Sequence, residues 1–193
     1  MSLDDRIRWE RQYGQSGAPE KPAAFLKEIL DGGHWDIARG RALDIASGAG
    51  RNALFLAEKG FDVTAVDIAQ PGLDQGARRA AERSLSISWQ QTDLENGGLP
   101  PGPYNLIVNI NYLQRSLVPH IKSALAPGGY IIFETYLIDQ QTIGHPKNPD
   151  YLLAHNELLN YFRDLRVLYY REGKFTDGAE PSFRAGILAH KLR

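Results

Sequence analysis

Short apolar runs alternate with stretches in which apolar residues recur every three or four positions, from residue 42 to residue 170. The runs predict strands at 42–46, 61–67, 86–91, 104–110, 130–133, 165–170 and 183–190. The longer period predicts helices at 3–13, 22–30, 51–60, 71–83, 115–125 and 156–162, with Asn156 as the N-cap of the last. Gly- and Pro-rich segments at 96–103 and 139–150 read as loops, and Pro127-Gly128-Gly129 as a turn. Strand–helix alternation predicts an α/β fold with a mostly parallel sheet, helices on both faces and right-handed crossovers. The final strand is reached by a loop alone, so it fits as an antiparallel hairpin partner. With no internal repeat or linker, residues 1–193 read as one domain, a helical segment at 1–37 preceding a core at 41–193.

Composition narrows the function. The 22 basic and 23 acidic residues leave a net charge of −1, with neither sign in a long block. That is not the footprint of a nucleic-acid binder. The absence of cysteine removes disulfides, thiolate metal sites and cysteine nucleophiles, and the five histidines have no metal-ligand spacing. The acidic start Met1-Ser2-Leu3-Asp4-Asp5 does not read as a signal peptide, and no apolar run approaches a membrane span. A cytoplasmic protein without membrane or nucleic-acid partners is expected. Oligomeric state is not legible.

The chemistry concentrates after the first strand. Ala42-Leu43-Asp44-Ile45-Ala46 runs into Ser47-Gly48-Ala49-Gly50 and then into a helix. Such a turn lets backbone approach a ligand, and the first helical amides point at it. Acids stand at comparable places on three strands: Asp44 within the first, Asp67 and Asp93 at the ends of the second and third. In an open parallel sheet these ends border the ligand crevice, and Asp67 follows Gly48 by 19 residues, the distance of a ribose-binding acid. Gly48 to Ala53 also satisfies G-x-G-x-x-G/A, so a dinucleotide competes for the site. Asp44 counts against it, because a carboxylate beside the turn suits an ammonium group better than a pyrophosphate.

L-D-I-A-S-G-A-G-R-N at 43–52 resembles the nucleotide-binding motif of class I S-adenosylmethionine-dependent methyltransferases. V-T-A-V-D at 63–67, T-D-L at 92–94, Y-N-L-I-V-N at 104–109 and L-A-P-G-G-Y-I-I-F-E at 125–134 continue the resemblance. W-x-x-x-Y at 9–13, G-R-N-A-L-F-L-A at 50–57, N-E-L-L-N-Y-F at 156–162 and F-R-A-G-I-L-A-H-K at 183–191 look like the tellurite-resistance branch. The resemblance implies a Rossmann-like, three-layer fold with seven strands in the order 3-2-1-4-5-7-6, the last antiparallel, and S-adenosyl-L-methionine as cofactor. It implies that Asp44 lies near the methionine ammonium and the backbone of Ala46, Ser47 and Gly48 along that arm. Asp67 would hold the ribose hydroxyls, Ile68 and Leu94 flank the adenine, and Asp93 meet its amino group. The Asn109 carbonyl would face the methionine portion, with Tyr13 and Arg51 at its carboxylate end. Two residues depart from the pattern: Ala46 stands where glycine is usual, and Asn105 where aspartate is usual.

Methyl transfer from a sulfonium demands positioning more than acid–base chemistry. Catalytic candidates are Tyr112 and Arg115 after the fourth strand, Tyr136 after the fifth with Glu134 beside it, and His145 in the following loop. Segments 9–20 and 139–150 are expected to form a lid. The expected activity is methylation of a small molecule. A nicotinamide-dependent oxidoreductase and a non-catalytic cofactor-binding module are the alternatives.

Overall fold

The structure is a computed structural model and describes residues 20–178 and 180–192. The predicted helix at 3–13, the start of the 9–20 lid and Tyr13 lie outside the described residues. The chain runs α1 (Ala24–Asp31), β1 (Arg41–Ile45), α2 (Arg51–Glu58), β2 (Asp62–Asp67), α3 (Gln70–Glu82), β3 (Ile87–Gln91) and β4 (Tyr104–Ile110). There follow α4 (Val118–Ala124), β5 (Leu125–Tyr136), α5 (Glu157–Phe162), β6 (Arg166–Phe175) and β7 (Ser182–His190). The seven strands form one sheet in the order β3-β2-β1-β4-β5-β7-β6. All pairings are parallel except those of β7, which is antiparallel to both β5 and β6. This is the order that the resemblance implies.

Side chains alternate between two cores because successive strand residues face opposite ways. Ala42, Val63, Ala65, Leu106, Val108, Ile132 and Leu188 meet α1 and α2 on one face. Leu43, Ile45, Ile107, Ile131, Phe133 and Ile187 meet α4 and α5 on the other. By this alternation Asp44, Asp67 and Glu134 share the α1/α2 face, whereas the Asn109 side chain lies on the α4/α5 face. Among the described residues, no helix is long and apolar enough to cross a membrane.

Several elements differ from the pattern-based expectation. The fifth strand runs through the expected turn. Gly128, at φ 78°, lets the backbone kink while its N–H donates to the Lys191 carbonyl at 2.8 Å. The expected helix at 115–125 opens with a 3-10 turn, Arg115–Leu117, before α4. β6 continues to Phe175 because its ladder with β7 continues to Ser182. Asn156 occupies the N-cap position of α5 but in left-handed conformation, without a side-chain cap. Its N–H donates to Glu172 at 2.9 Å, while Glu157 accepts from the Ala154 amide at 2.7 Å.

Two polar devices hold the frame. Asn105 accepts from the Arg41 amide at 3.0 Å, at the end of the sheet away from the glycine turn. An asparagine suffices there, since the task is to accept one hydrogen bond. At the other end Glu134, fully buried, accepts from Arg171 at 2.6 Å and Arg184 at 3.0 Å. Asp177 bridges both arginines, and Arg171 lies between the rings of Phe25 and Phe175. Mutual pairing is what makes such charges tolerable inside.

Candidate cofactor site

The turn after β1 is built from alternating left-handed residues: Ala46 at φ 52°, Gly48 at 56° and Gly50 at 75°. Its hydrogen bonds explain the shape. Ser47 N–H donates to the Val66 carbonyl, and Gly50 N–H closes the turn on the Ser47 carbonyl, both at 2.9 Å. Gly50 is the N-cap of α2, so the first amides of that helix open toward the end of β1. Ala46 takes a conformation that L-residues avoid, at a cost of about 1–2 kcal/mol. Ala46→Gly is therefore expected to raise stability by about 1 kcal/mol, read as a higher urea midpoint at unchanged slope. An unchanged midpoint would show that the turn carries no such strain.

Asp44 and Asp67 stand together behind this turn. Asp67 is buried and accepts from the Gly48 amide at 2.7 Å and the Ala69 amide at 2.9 Å. It therefore fixes the turn and the start of α3 at once. Burial pushes its carboxyl above the ordinary range, against the pull of those amides. Asp44 is 1% exposed, and among the described residues neither of its carboxylate oxygens has a hydrogen-bond partner at good geometry, the Ala53 amide being the donor nearby. Burial pushes its carboxyl up to about 7. The Arg51 charge and the Ala53 amide oppose this, and Asp67 reinforces it. Ser47 Oγ and Asn109 Oδ1 are buried and likewise without a partner among the described residues. A buried, unpartnered acceptor costs free energy. Two such oxygens on Asp44 could accept from a cationic donor, the chemistry that the methionine ammonium of S-adenosylmethionine would supply.

The remaining predicted residues differ in how they are held. Ile68 and Leu94 are buried. Asp93 closes its own turn, accepting from the Glu95 amide at 3.0 Å and the Asn96 side chain at 2.8 Å. Tyr112 donates to Gln114 at 2.6 Å, and Gln114 donates to the Leu94 carbonyl at 3.3 Å. Burial, and then the charges of Asp93 and Asp67, push the Tyr112 phenol far up. The charges of those two acids thus act on the Tyr112 phenol and hold it toward its protonated form.

Arg115 pairs in bidentate fashion with Glu157 at 2.7 and 3.1 Å and donates to the Asp150 and Leu152 carbonyls. Its donors thereby staple the loop to α5. The expected lid at 139–150 contains 3-10 turns at Ile138–Thr142 and Pro149–Tyr151. It is further tied by Gln140, which accepts from the Phe183 amide at 2.8 Å and donates to the His145 carbonyl at 3.1 Å. Tyr136 ends β5, half-buried, in register with Arg184, and His145 is exposed.

Some residues were not singled out from sequence. Asn52 accepts from the Ala23 amide at 2.9 Å and so fastens the start of α1 to α2. Arg171 and Arg184 hold Glu134; the only hint was an arginine within the apolar run F-R-A-G-I-L-A.

Sheet order, glycine turn and strand-end acids are those that the resemblance to class I S-adenosylmethionine-dependent methyltransferases implies. Residues 42–129 match a family described as a methyltransferase domain. TehB of Haemophilus influenzae is 28% identical over 139 residues, 68% of this chain and 48% of TehB. Its crystal structure shares the fold with a TM-score of 0.74 at 22% identity, over 96% of this chain and 66% of that one. The ubiquinone biosynthesis O-methyltransferase of Nitrosococcus oceani is 30% identical over 108 residues, 53% of this chain and 46% of that protein. The chain spans about half the length of the curated relatives it matches. Over these spans the chain is similar to S-adenosylmethionine-dependent methyltransferases, TehB among them.

Proposed function

We propose that this chain transfers a methyl group from S-adenosylmethionine to a small-molecule acceptor by in-line displacement. The observation that carries the reading is Asp44: a buried carboxylate beneath a helix N-terminus, its two oxygens without a well-formed hydrogen bond among the described residues. That geometry receives an ammonium and repels a pyrophosphate, which argues against the nicotinamide alternative. When bound, S-adenosylmethionine supplies a methyl group already activated on a sulfonium.

In this reading Asp44 binds the ammonium, and the backbone of Ala46, Ser47, Gly48 and Asn109 lines the amino-acid arm. Arg51, with Tyr13, takes the carboxylate end. Asp67 holds the ribose, Ile68 and Leu94 sandwich the adenine, and Asp93 reads its edge. The protein contributes alignment, worth roughly 7–11 kcal/mol when reacting atoms are held in line. Burial raises the Tyr112 phenol away from the base range, and Glu157 engages Arg115, so neither candidate is poised as a general base. This suits an acceptor that arrives as an anion. The small-molecule acceptor is supported by the ubiquinone biosynthesis O-methyltransferase among the relatives.

Thermal shift separates the ligands. S-adenosylhomocysteine at 100 times its dissociation constant is expected to add about 2.7 kcal/mol of stability, and NAD(H) to add none. A shift with NAD(H) alone would overturn the reading. Conversion of S-adenosylmethionine to S-adenosylhomocysteine in an acceptor screen distinguishes an enzyme from a binding module.

A further inference from the structure

Trp89 sits on edge strand β3, paired in register with Ala65, and packs on the α1/α2 face. Its indole reaches across β2 to the cofactor turn. A β-carbon built on Gly50 would lie 2.3 Å from Cη2 of Trp89. One built on Gly76, in α3, would lie 2.5 Å from the same atom and 3.2 Å from the Ala49 carbonyl oxygen. The indole tip is thus wedged between two bare α-carbons, one belonging to the turn and the other to the helix behind it. Gly50 carries the turn's last left-handed residue and its carbonyl starts α2, accepting from Leu54 at 2.8 Å. Whatever moves the indole moves the residue on which both the turn and the helix N-terminus depend.

We propose that Trp89 is a positioning residue for the cofactor: its indole, seated on Gly76, sets the height and tilt of the 47–50 turn. It makes no ligand contact in this role, and the proposal rests on the cofactor reading above. The two glycines follow from it. Gly76 is bare so that α3 can bring the indole under the turn, and Gly50 is bare because the indole occupies the space of its side chain.

The test is a cycle of two substitutions, with S-adenosylhomocysteine affinity measured by calorimetry well below every variant's melting temperature. Gly76→Ala drives a methyl group into the indole and is expected to weaken binding roughly tenfold, the scale of coupling between touching residues. Trp89→Phe shortens the ring, and is expected to weaken binding by a few-fold and to speed amide exchange at residues 48–51 without ligand. The double variant gives the new methyl group the space that the shorter ring vacates. Its affinity is expected to return to within about threefold of the starting protein.

Lowered melting temperatures with unchanged affinities would make Trp89 mere core filling and overturn the proposal. A double variant no better than Gly76→Ala would show the methyl pressing on the Ala49 carbonyl directly, which also overturns it. Should Gly76→Ala fail to fold, Trp89→Phe with unaltered exchange and affinity is sufficient to reject it. Failure of the unsubstituted protein to bind S-adenosylhomocysteine would instead sink the cofactor reading.

Discussion

Asp44→Asn is expected to make the cofactor-free protein more stable and its hold on S-adenosylhomocysteine weaker. The carboxyl rises from an ordinary 3.8 to about 7 in the folded chain, chiefly through burial. Between these values the unfolded chain has released the proton and the folded chain still holds it. Stability therefore falls as pH climbs from about 4 to about 7 and stays low above that. Three pH units correspond to about 4 kcal/mol, an upper bound on what asparagine recovers at pH 8. The cofactor side has the opposite sign, because an ammonium prefers the ionised carboxylate. Two units below the raised value about one site in a hundred is ionised. Affinity at pH 5 should then fall roughly a hundredfold below that at pH 9. Asp67, raised in the same direction, adds to the slope, and only its part should persist in Asp44→Asn. Urea unfolding at pH 8 and calorimetry from pH 5 to 9 check both halves. A destabilised Asp44→Asn protein would mean that the carboxylate already has a partner, and a flat affinity profile would remove the ammonium from its neighbourhood.

What the sequence revealed follows from which interactions are local. The sheet was legible because each strand announces itself in a few consecutive residues and each crossover in its helical period. Asp44 and Asp67 were legible for a related reason: a strand's end is a sequence position, and parallel strands bring their ends together. The limits appear where the determining contact is remote. The length of β6 is set by its ladder with β7, and the kink at Gly128 by the carbonyl of Lys191. Glu134 looked like a pocket acid until its partners, 37 and 50 residues away, neutralised it. The wedge of Trp89 between Gly50 and Gly76 joins three elements with no shared motif. Ala46 shows the reverse: its departure from glycine was visible, but only the backbone reveals that it keeps the positive φ.

Asp67→Ala should act on the other half of the ligand and also on the turn. Its carboxylate satisfies the amides of Gly48 and Ala69. Alanine leaves both without an acceptor, at about 1–3 kcal/mol for each buried group, partly offset because a desolvated carboxylate is removed too. A net stability loss of about 2 kcal/mol is expected. Loss of charged hydrogen bonds to the ribose should cost binding roughly 1.5–3 kcal/mol, about ten- to a hundredfold in affinity. Asp67→Asn is no rescue, since its amide would face one of the two backbone donors. Fragments separate the two acids. Adenosine carries the ribose and lacks the ammonium, so Asp67→Ala should weaken its binding while Asp44→Asn leaves it unchanged. Equal losses in both variants would mean that the substitutions disorder the turn as a whole. In that case the division of the pocket into a ribose acid and an ammonium acid would fail, even with cofactor binding intact.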